Sequence, residues 1–429
     1  MATPEKNSPS ILPKISRKLA YRTLVLVVVV GSLVYGMEWF LQHRSDLGQF
    51  RESNTVNWIS AVQYLPDGYQ QAVLIEPGGG KIHKDPGYVA KTNDRDVTWS
   101  PHGNFLYFAS DRTDHNFNIF RWSPSSDDPA EQRTIGTRAR GNLKFSVQAD
   151  EKDGEAKGLL TTGGLVQEFD PNNSTTAQVL PPSQKEISQS KGDESGTESQ
   201  FEGIYGTFGT SFREAQWCGG HRYIAGIMER EAGESLILQD TQPVDGKLVE
   251  PRQLLTGEKI EIAINPKDGN IVYCLQGFQW PSGVPPTDKD GKVIKKPFLN
   301  AIGVLSPTAK PITLSGNNGQ AIFSSPSVSY DGKAIAVIVS TVEKGEVKTF
   351  GLVTFPTSND PGFKQLTKRG EIHEPSWSPD GLHIVASVKL PGKHYSIYAI
   401  PVDESSAPLN LTGDVGDFRF PKYSPQVKN

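Results

Sequence analysis

The feature that most constrains this chain is a recurring motif: an aromatic residue, a Ser-Pro-x-Gly turn and an alternating apolar run. The two clearest copies are DVTWSPHGNFLYFASDR at 96–112 and EPSWSPDGLHIVASVKL at 374–390. Proline presets a type I turn, glycine suits its exit, and the run that follows has the period of a β-strand. The turn residues are Trp99, Pro101 and Gly103 in the first copy and Trp377, Pro379, Asp380 and Gly381 in the second. Weaker copies lie at 144–162, 214–230, 261–277 and 325–341, with a fragment at 418–426, so the fold is predicted to be repetitive.

Each repeat contains two further strands after the motif. A third strand, such as YSIYAIPVD at 395–403, is followed by a short fourth that ends in a Leu-Thr-Gly-like turn, as in NLTG at 410–413. The 42 glycines and 31 prolines suit a turn-dense β protein better than a helical one. Units of four antiparallel strands arranged radially form a β-propeller.

The number of blades follows from how the two ends of the repetitive region complement each other. Six complete repeats begin near residues 96, 142, 212, 259, 323 and 373. The C-terminal fragment at 417–426 supplies a first strand, and the N-terminal stretch supplies a second, a third and, at 88–96, a fourth. Closing the ring with both ends removes exposed edges and predicts an all-β, seven-bladed propeller over residues 55–426. Six blades, with residues 50–93 as an irregular strap, are the alternative.

The turn, the I-Y-x-I/V third strand and the closing L-T-G together resemble the TolB-type propeller repeat over about residues 55–426. The resemblance implies the fold and says little about activity, because propellers host many functions. Only a short linker, residues 42–54, precedes the first strand, whereas TolB carries an α/β domain there. We therefore do not expect the chain to be TolB itself, and we do not transfer the partners of TolB to it.

The first residues predict a membrane anchor. Residues 23–41 carry a single charge, Glu38, and as a helix would span about 28 Å, enough to cross a bilayer core. Residues 1–22 hold five basic residues against one acidic residue, a net of +4, which places this tail in the cytoplasm. We predict a single-pass signal anchor in the cytoplasmic membrane, with the propeller in the periplasm or an equivalent extracytoplasmic space. A cleaved signal peptide is the alternative, although its small-x-small cleavage site is missing.

Charge and composition narrow the partners of the exported part. With −4 for the whole chain and +4 for its tail, the remainder has a net charge of −8, which gives no electrostatic footprint for nucleic acid. Cys218 and Cys274 lie in strand-like runs of different repeats and are predicted to be separate buried thiols. The polar segment 183–200 is predicted to be a disordered insertion, and 281–297 a Pro/Gly/Lys-rich excursion.

The sequence contains few signs of catalysis. It has no G-x-S-x-G, H-E-x-x-H or C-x-x-C, and the glycines at 78–80 lack the spacing of a phosphate loop. Of the eight histidines only His373 lies at the entrance to a first strand, which is too few for a metal site in the channel. We therefore expect no enzyme activity, no cofactor and no metal.

Charge recurs where the first strands begin. In a propeller these strands line the central channel, so the charged residues are expected to converge at one mouth of it. The candidate binding residues are Arg95, Asp96, Arg213, Glu214, His373, Glu374 and Arg419. They have two interpretations: mutual ion pairs that plug the funnel, or a polar funnel that holds a peptide tail or a small ligand.

These features favour a membrane-tethered, non-catalytic scaffold of the cell envelope. Its partner is expected to be another envelope or membrane protein, or a peptide, captured at the channel mouth. One alternative is a small-ligand or carbohydrate-binding protein, or a lyase-like enzyme, that uses the same mouth. The other is a structural subunit of a membrane complex, in which the transmembrane helix makes the contacts.

Overall fold

The fold is a β-propeller of seven four-stranded antiparallel blades. The computed structural model describes residues 58–136, 139–146, 157–182, 211–231, 233–245, 247–279, 299–308, 312–343, 346–358, 362–367, 370–413 and 416–425. The first strands of neighbouring blades touch one another in a closed cycle around a central channel. The seven-bladed prediction is confirmed, and the six-bladed alternative is wrong.

The strands of each blade run from the channel outward. Blade 1 consists of β28 (Asp417–Tyr423), β1 (Ile59–Tyr64), β2 (Gln70–Ile75) and β3 (Ile82–Lys84); blade 2 of β4 (Asp94–Trp99), β5 (Leu106–Ser110), β6 (Asn118–Trp122) and β7 (Glu131–Gln132). Blade 3 consists of β8 (Arg140–Phe145), β9 (Gly158–Thr162), β10 (Leu165–Asp170) and β11 (Thr175–Leu180); blade 4 of β12 (Ser211–Cys218), β13 (Tyr223–Arg230), β14 (Gly233–Asp240) and β15 (Arg252–Gly257). Blade 5 consists of β16 (Lys259–Ile264), β17 (Ile271–Gln276), β18 (Asn300–Leu305) and β19 (Ile312–Asn317). Blade 6 consists of β20 (Ala321–Val328), β21 (Ala334–Glu343), β22 (Glu346–Pro356) and β23 (Lys364–Gln365); blade 7 of β24 (Glu371–Trp377), β25 (His383–Lys389), β26 (Tyr395–Pro401) and β27 (Leu409–Asn410).

Blade 1 closes the ring with strands from both ends of the propeller. Its innermost strand, β28, pairs antiparallel with β1, from Ile59 opposite Tyr423 to Tyr64 opposite Asp417. The predicted closure is therefore confirmed. The predicted fourth strand at 88–96 is wrong, because the fourth strand is β3 and the end of that segment already belongs to blade 2.

A buried ion cluster explains why the chain leaves blade 1 earlier than predicted. Asp85 and Asp94 are both fully buried, and the Arg112 guanidinium, with 5% of its side chain exposed, binds both carboxylates. The same guanidinium lies 5.1 and 4.9 Å from the ring centroids of Phe108 and Phe120. The cluster fixes the segment that runs from blade 1 into the first strand of blade 2.

The Ser-Pro-Asp-Gly turn has the geometry that its residues predict. The Gly381 amide donates to the Ser378 carbonyl at 3.0 Å, which closes the turn, and Asp380 Oδ1 accepts the Leu382 amide at 2.9 Å. Gly381 and Gly103 both have positive φ, 73° and 75°, in the left-handed region that favours glycine. These residues therefore specify the link between the first and second strands of a blade.

The tryptophans of the motif join neighbouring blades. The Trp99 indole N–H donates to the Lys422 carbonyl of blade 1 at 3.1 Å, and the Trp377 indole donates to the Ser327 carbonyl of blade 6 at 3.1 Å. Both rings are buried. Each thus fills the space between two sheets and also bonds to the first strand of the preceding blade.

The hydrophobic core lies between the blades. One cluster, for example, joins Leu74 of blade 1 to Trp99 and Phe108 of blade 2. Cys218 and Cys274 are buried and free, as predicted, and burial raises the pKa of Cys218 to about 12.

Within the described ranges, no helix is long and apolar enough to cross a membrane. The predicted basic tail at 1–22, anchor at 23–41 and linker at 42–54 lie outside the described residues, as do the insertions predicted at 183–200 and 281–297.

Candidate functional site

The seven first strands surround an open cavity of about 720 Å³ along the channel. Two positions of each strand, counted back from the large apolar residue at its end, face this channel. The residue immediately before it forms the channel ring: Thr98, Lys144, Gln216, Ala263, Ser327, Ser376 and Lys422. The residue three positions before it forms the clasp ring: Asp96, Asn142, Glu214, Glu261, Ser325, Glu374 and Phe420. All of the channel ring and all of the clasp ring except Glu261 line the cavity.

Most residues of the clasp ring lie at β-bulges. Five members have a left-handed backbone, with φ between 51° and 57°, and the pairing register shifts at or beside each of them: Asp96, Asn142, Ser325, Glu374 and Phe420. A bulge leaves a residue unpaired in its own sheet and re-aims its side chain. The bulged backbone amides are therefore free to bond to the neighbouring blade.

In three places a carboxylate of the preceding blade accepts such an amide, and we call this contact a clasp. Asp96 Oδ2 accepts the Asn142 amide at 3.1 Å, and Glu374 Oε2 accepts the Phe420 amide at 2.8 Å. Glu261 accepts the Ser325 amide in the same way. These acidic residues hold neighbouring blades together at the channel wall.

Arg213 makes a comparable link between blades 4 and 5. Its guanidinium donates to both carboxylate oxygens of Glu234, at 2.9 and 3.1 Å, and to the Ile260 carbonyl at 2.6 Å. Burial opposes the charge of Arg213, but its bonds to Glu234 outweigh burial and raise the pKa of Arg213. This bidentate pair belongs to the packing of the blades.

The structure brings four of the seven predicted binding residues together in the channel: Arg95, Asp96, Glu214 and Glu374. The Arg95 guanidinium lies 3.6 Å from the centroid of the Phe117 ring, and its Nε lies 3.6 Å from Asp96 Oδ2. Glu214 accepts the Gln216 side-chain amide at 2.8 Å. Each of the four therefore already contacts other groups of the protein.

Arg213, His373 and Arg419 are not among the residues that line the cavity. The Arg419 guanidinium lies 3.9 Å from the centroid of the Tyr395 ring. His373 Nε2 lies 3.5 Å from Glu371 Oε1. No group of three or more His, Cys, Asp or Glu side chains in the described part of the chain could hold a metal ion.

Two lysines of the channel ring were not predicted as site residues. Lys144 Nζ lies 3.9 Å from Glu214 Oε1. Burial, together with the neighbouring charge of Lys144, lowers the pKa of Lys422 to about 7, although Asp96 and Glu214 act in the opposite direction. Counting strand alternation back from Phe145 and Tyr423 would have placed both lysines on the channel face.

No protein-family model matches the sequence, and no curated protein matches it. Solved structures do resemble the chain. TolB from Acinetobacter baumannii is 14% identical, with 87% of this chain and 68% of that chain covered at a TM-score of 0.48. An oligogalacturonate lyase from Vibrio parahaemolyticus is 11% identical, with 83% and 85% covered at a TM-score of 0.50. A prolyl endopeptidase is 12% identical, with 94% and 54% covered at a TM-score of 0.47.

At these identities the likeness shows the fold alone. The β-propeller predicted from the turn motif is confirmed. Because an enzyme, the oligogalacturonate lyase, is among the similar structures, this fold does not decide between binding and catalysis.

Proposed function

We propose that the chain is a membrane-tethered propeller of the cell envelope that binds a peptide segment of another envelope or membrane protein in its central channel, without catalysing a reaction. The observation that carries the proposal is the open channel cavity of about 720 Å³. This volume is within the range of pockets that enclose small ligands, roughly 300–1,000 Å³, and it would hold a few residues of an extended peptide.

The composition of the channel wall suits a peptide backbone. Five of the seven channel-ring side chains are small or uncharged: Thr98, Gln216, Ala263, Ser327 and Ser376. Their hydroxyl and amide groups offer donors and acceptors of the kind that peptide groups require. Phe420, 41% exposed and lining the same cavity, adds an apolar contact.

The wall is also preformed. The clasps at Asp96 and Glu374 and the bidentate pair of Arg213 fix neighbouring first strands before any ligand enters. A ligand that enters a preformed site does not have to order it, and this ordering cost otherwise reduces affinity. The clasps thus support a rigid receptor whose own charges are largely satisfied.

The tether and its orientation are part of the proposal. The apolar segment 23–41 and the basic tail 1–22 support one membrane-spanning helix with the N-terminus in the cytoplasm. The propeller then lies in the periplasm or an equivalent space, where its partner is expected.

The test is site-specific photo-crosslinking of the full-length protein in its native membrane. A benzophenone amino acid at Ser327, in the channel ring, should form an adduct with the partner, and one at the exposed Ala407 should not. Ala263→Trp, which fills the channel, should abolish the adduct, while the matched Ala407→Trp should leave it unchanged. An adduct that persists in Ala263→Trp would exclude channel binding. Loss of the adduct after exchange of residues 23–41 for an unrelated apolar helix would instead favour a membrane-complex subunit.

A further inference from the structure

We propose that Lys144 and Lys422 form a carboxylate receptor inside the channel, so that the bound peptide is held by an acidic side chain or by its C-terminal carboxylate. The inference rests on the proposed function, because it names the chemistry of the peptide that the channel takes. Both lysines belong to the channel ring, on the first strands of blades 3 and 1, with Thr98 of blade 2 between them.

The carboxylates of the channel wall already have partners. Glu374 Oε2 accepts the Phe420 amide and the Ser387 hydroxyl, both at 2.8 Å. Asp96 accepts the Asn142 amide, and Glu214 accepts the side chain of Gln216 as described above. An incoming cation would therefore compete with internal hydrogen bonds.

The two lysines have unused capacity. Among the described residues, Lys144 Nζ approaches a carboxylate only at Glu214, at the long distance of 3.9 Å. The side chain of Lys422 is hydrogen-bonded to that of Lys144 and, in the same described part of the chain, forms no ion pair with a carboxylate. Each ammonium group has three donors. The positive charge of the channel wall is therefore on this pair and on Arg95, whose guanidinium is stacked on Phe117 and lies close to Asp96.

The electrostatics of the pair favour an anion beside the two amines. Burial disfavours a charge on Lys422, and the charge of Lys144 on β8 and its hydrogen bond to Lys422 add to that effect, while Asp96 on β4 and Glu214 on β12 partly offset it. Near neutral pH Lys422 is therefore only partly protonated, at a pKa of about 7. A ligand carboxylate next to both amines replaces this repulsion with two charge-assisted hydrogen bonds and raises the pKa of Lys422.

The receptor thus takes up a proton together with its ligand. Below about pH 7 Lys422 is already charged and affinity is at its maximum. As the pH rises above that value, Lys422 must be protonated when the ligand binds. The affinity for the ligand therefore falls by up to about tenfold per pH unit, until the pH reaches the pKa of Lys422 in the complex. Channel binding is consequently strongest in a neutral or mildly acidic compartment.

Isothermal titration calorimetry of the full-length protein in detergent tests the inference with defined probes. They are acetyl-Gly-Ala-Glu-Ala-Gly-amide, acetyl-Gly-Ala-Gly-Ala-Gly with a free carboxylate, the same neutral peptide as its amide, and acetate. We expect the neutral amide to bind at least tenfold more weakly than one or both carboxylate peptides. The comparison of the first two peptides distinguishes a side-chain carboxylate from a C-terminal one.

Variants separate this role from a structural one. Lys422→Met should reduce the affinity for the carboxylate probes at least tenfold. Calorimetry in buffers of different ionisation enthalpy gives the number of protons taken up on binding, which should be close to one at pH 8 in the wild type and zero in Lys422→Met. Lys144→Met should weaken binding and shift the fall in affinity to higher pH, because it removes a charge that lowers the pKa of Lys422. Lys247→Met, at an exposed lysine of the loop between β14 and β15, should behave as wild type.

The outcomes are separable. Equal binding of the neutral amide, or unchanged affinity and pH dependence in Lys422→Met, would overturn the inference and leave peptide binding in the channel intact. If acetate binds to the wild type and more weakly to Lys422→Met, but no peptide binds, the carboxylate receptor is supported and the proposed function is wrong. If neither acetate nor any peptide binds, both are wrong.

Discussion

Replacing Glu374 by alanine should weaken the closure of the propeller. Its Oε2 accepts the Phe420 amide of β28 and the Ser387 hydroxyl, both at 2.8 Å, and so joins blade 7 to the strand that completes blade 1. Hydrogen bonds to a charged group each contribute about 1.5–3 kcal/mol. The two bonds sum to about 3–6 kcal/mol. Because the side chain of Glu374 is only partly buried, solvent screening reduces this sum, and we expect a loss of about 2–4 kcal/mol.

Limited trypsin digestion of the full-length protein measures this opening directly. Arg419 and Lys422 lie in β28 and are cleaved only when that strand leaves the sheet. A loss of 2 kcal/mol raises the open population, and with it the rate of cleavage at these two sites, about 30-fold. Mass spectrometry of the C-terminal fragments identifies the sites, and urea unfolding gives the global change.

Glu371→Ala is the matched control on the same strand. Its side chain is 51% exposed, lies 3.5 Å from His373 and accepts a hydrogen bond from the Tyr395 hydroxyl, so its loss should cost about 1 kcal/mol at most. Glu374→Gln retains an accepting oxygen without the charge and should fall between the two. If Glu374→Ala is cleaved no faster than Glu371→Ala, the carboxylate does not hold the ring closed.

Four further substitutions and one pH profile, compared between the wild type and Lys422→Met, test other parts of the structure. Arg112→Met leaves two buried carboxylates without their cation and should cost about 3–5 kcal/mol in urea unfolding, and a loss below 1 kcal/mol would contradict this account. Trp377→Phe retains most of the packing but loses the indole bond to the Ser327 carbonyl, so unfolding should require about 1 kcal/mol less; an unchanged midpoint would show that packing alone matters. Gly103→Ala places a Cβ 2.9 Å from the Pro425 carbonyl oxygen at a φ of 75°, and should destabilise by about 1–3 kcal/mol, whereas Gly381→Ala meets no atom within 4 Å and should cost less. Because the pKa of Lys422 in the folded chain, about 7, is below its ordinary value of 10.5, the stability of the wild type should rise with pH between these values, and Lys422→Met should flatten that rise.

The turn chemistry made most of the fold predictable. Ser378, Pro379, Asp380 and Gly381 specify their turn by local bonds, so each copy of the motif locates a first and a second strand regardless of the rest of the chain. The fourth strand of blade 1 was misplaced because β3 has three residues and no alternating pattern. The segment at 88–96 was chosen instead, yet its end is fixed by tertiary contacts of Asp94 that no local pattern shows.

The channel was less accessible to sequence reasoning. Recurring charge identified residues near the starts of the first strands. The left-handed backbone at Asp96 and Glu374 determines which groups these side chains contact. The sequence does not indicate that conformation, because residues other than Gly adopt it only rarely. Lys144 and Lys422 carry no motif of their own. Their importance comes from being brought together across two blade boundaries, which depends on closure of the ring.

Among the described strands of the propeller, the one that closes the ring is the last to be synthesised. Until β28 reaches β1, the inner edge of β1 has no partner, and β24 and β4 each lack one of their neighbours. Lys422 lies on that strand, so in a nascent or partly unfolded chain the channel lacks one of the two lysines of the carboxylate receptor. Under the proposed mechanism, only a completely folded propeller binds its ligand with full affinity, so the chain does not bind its partner before the ring has closed.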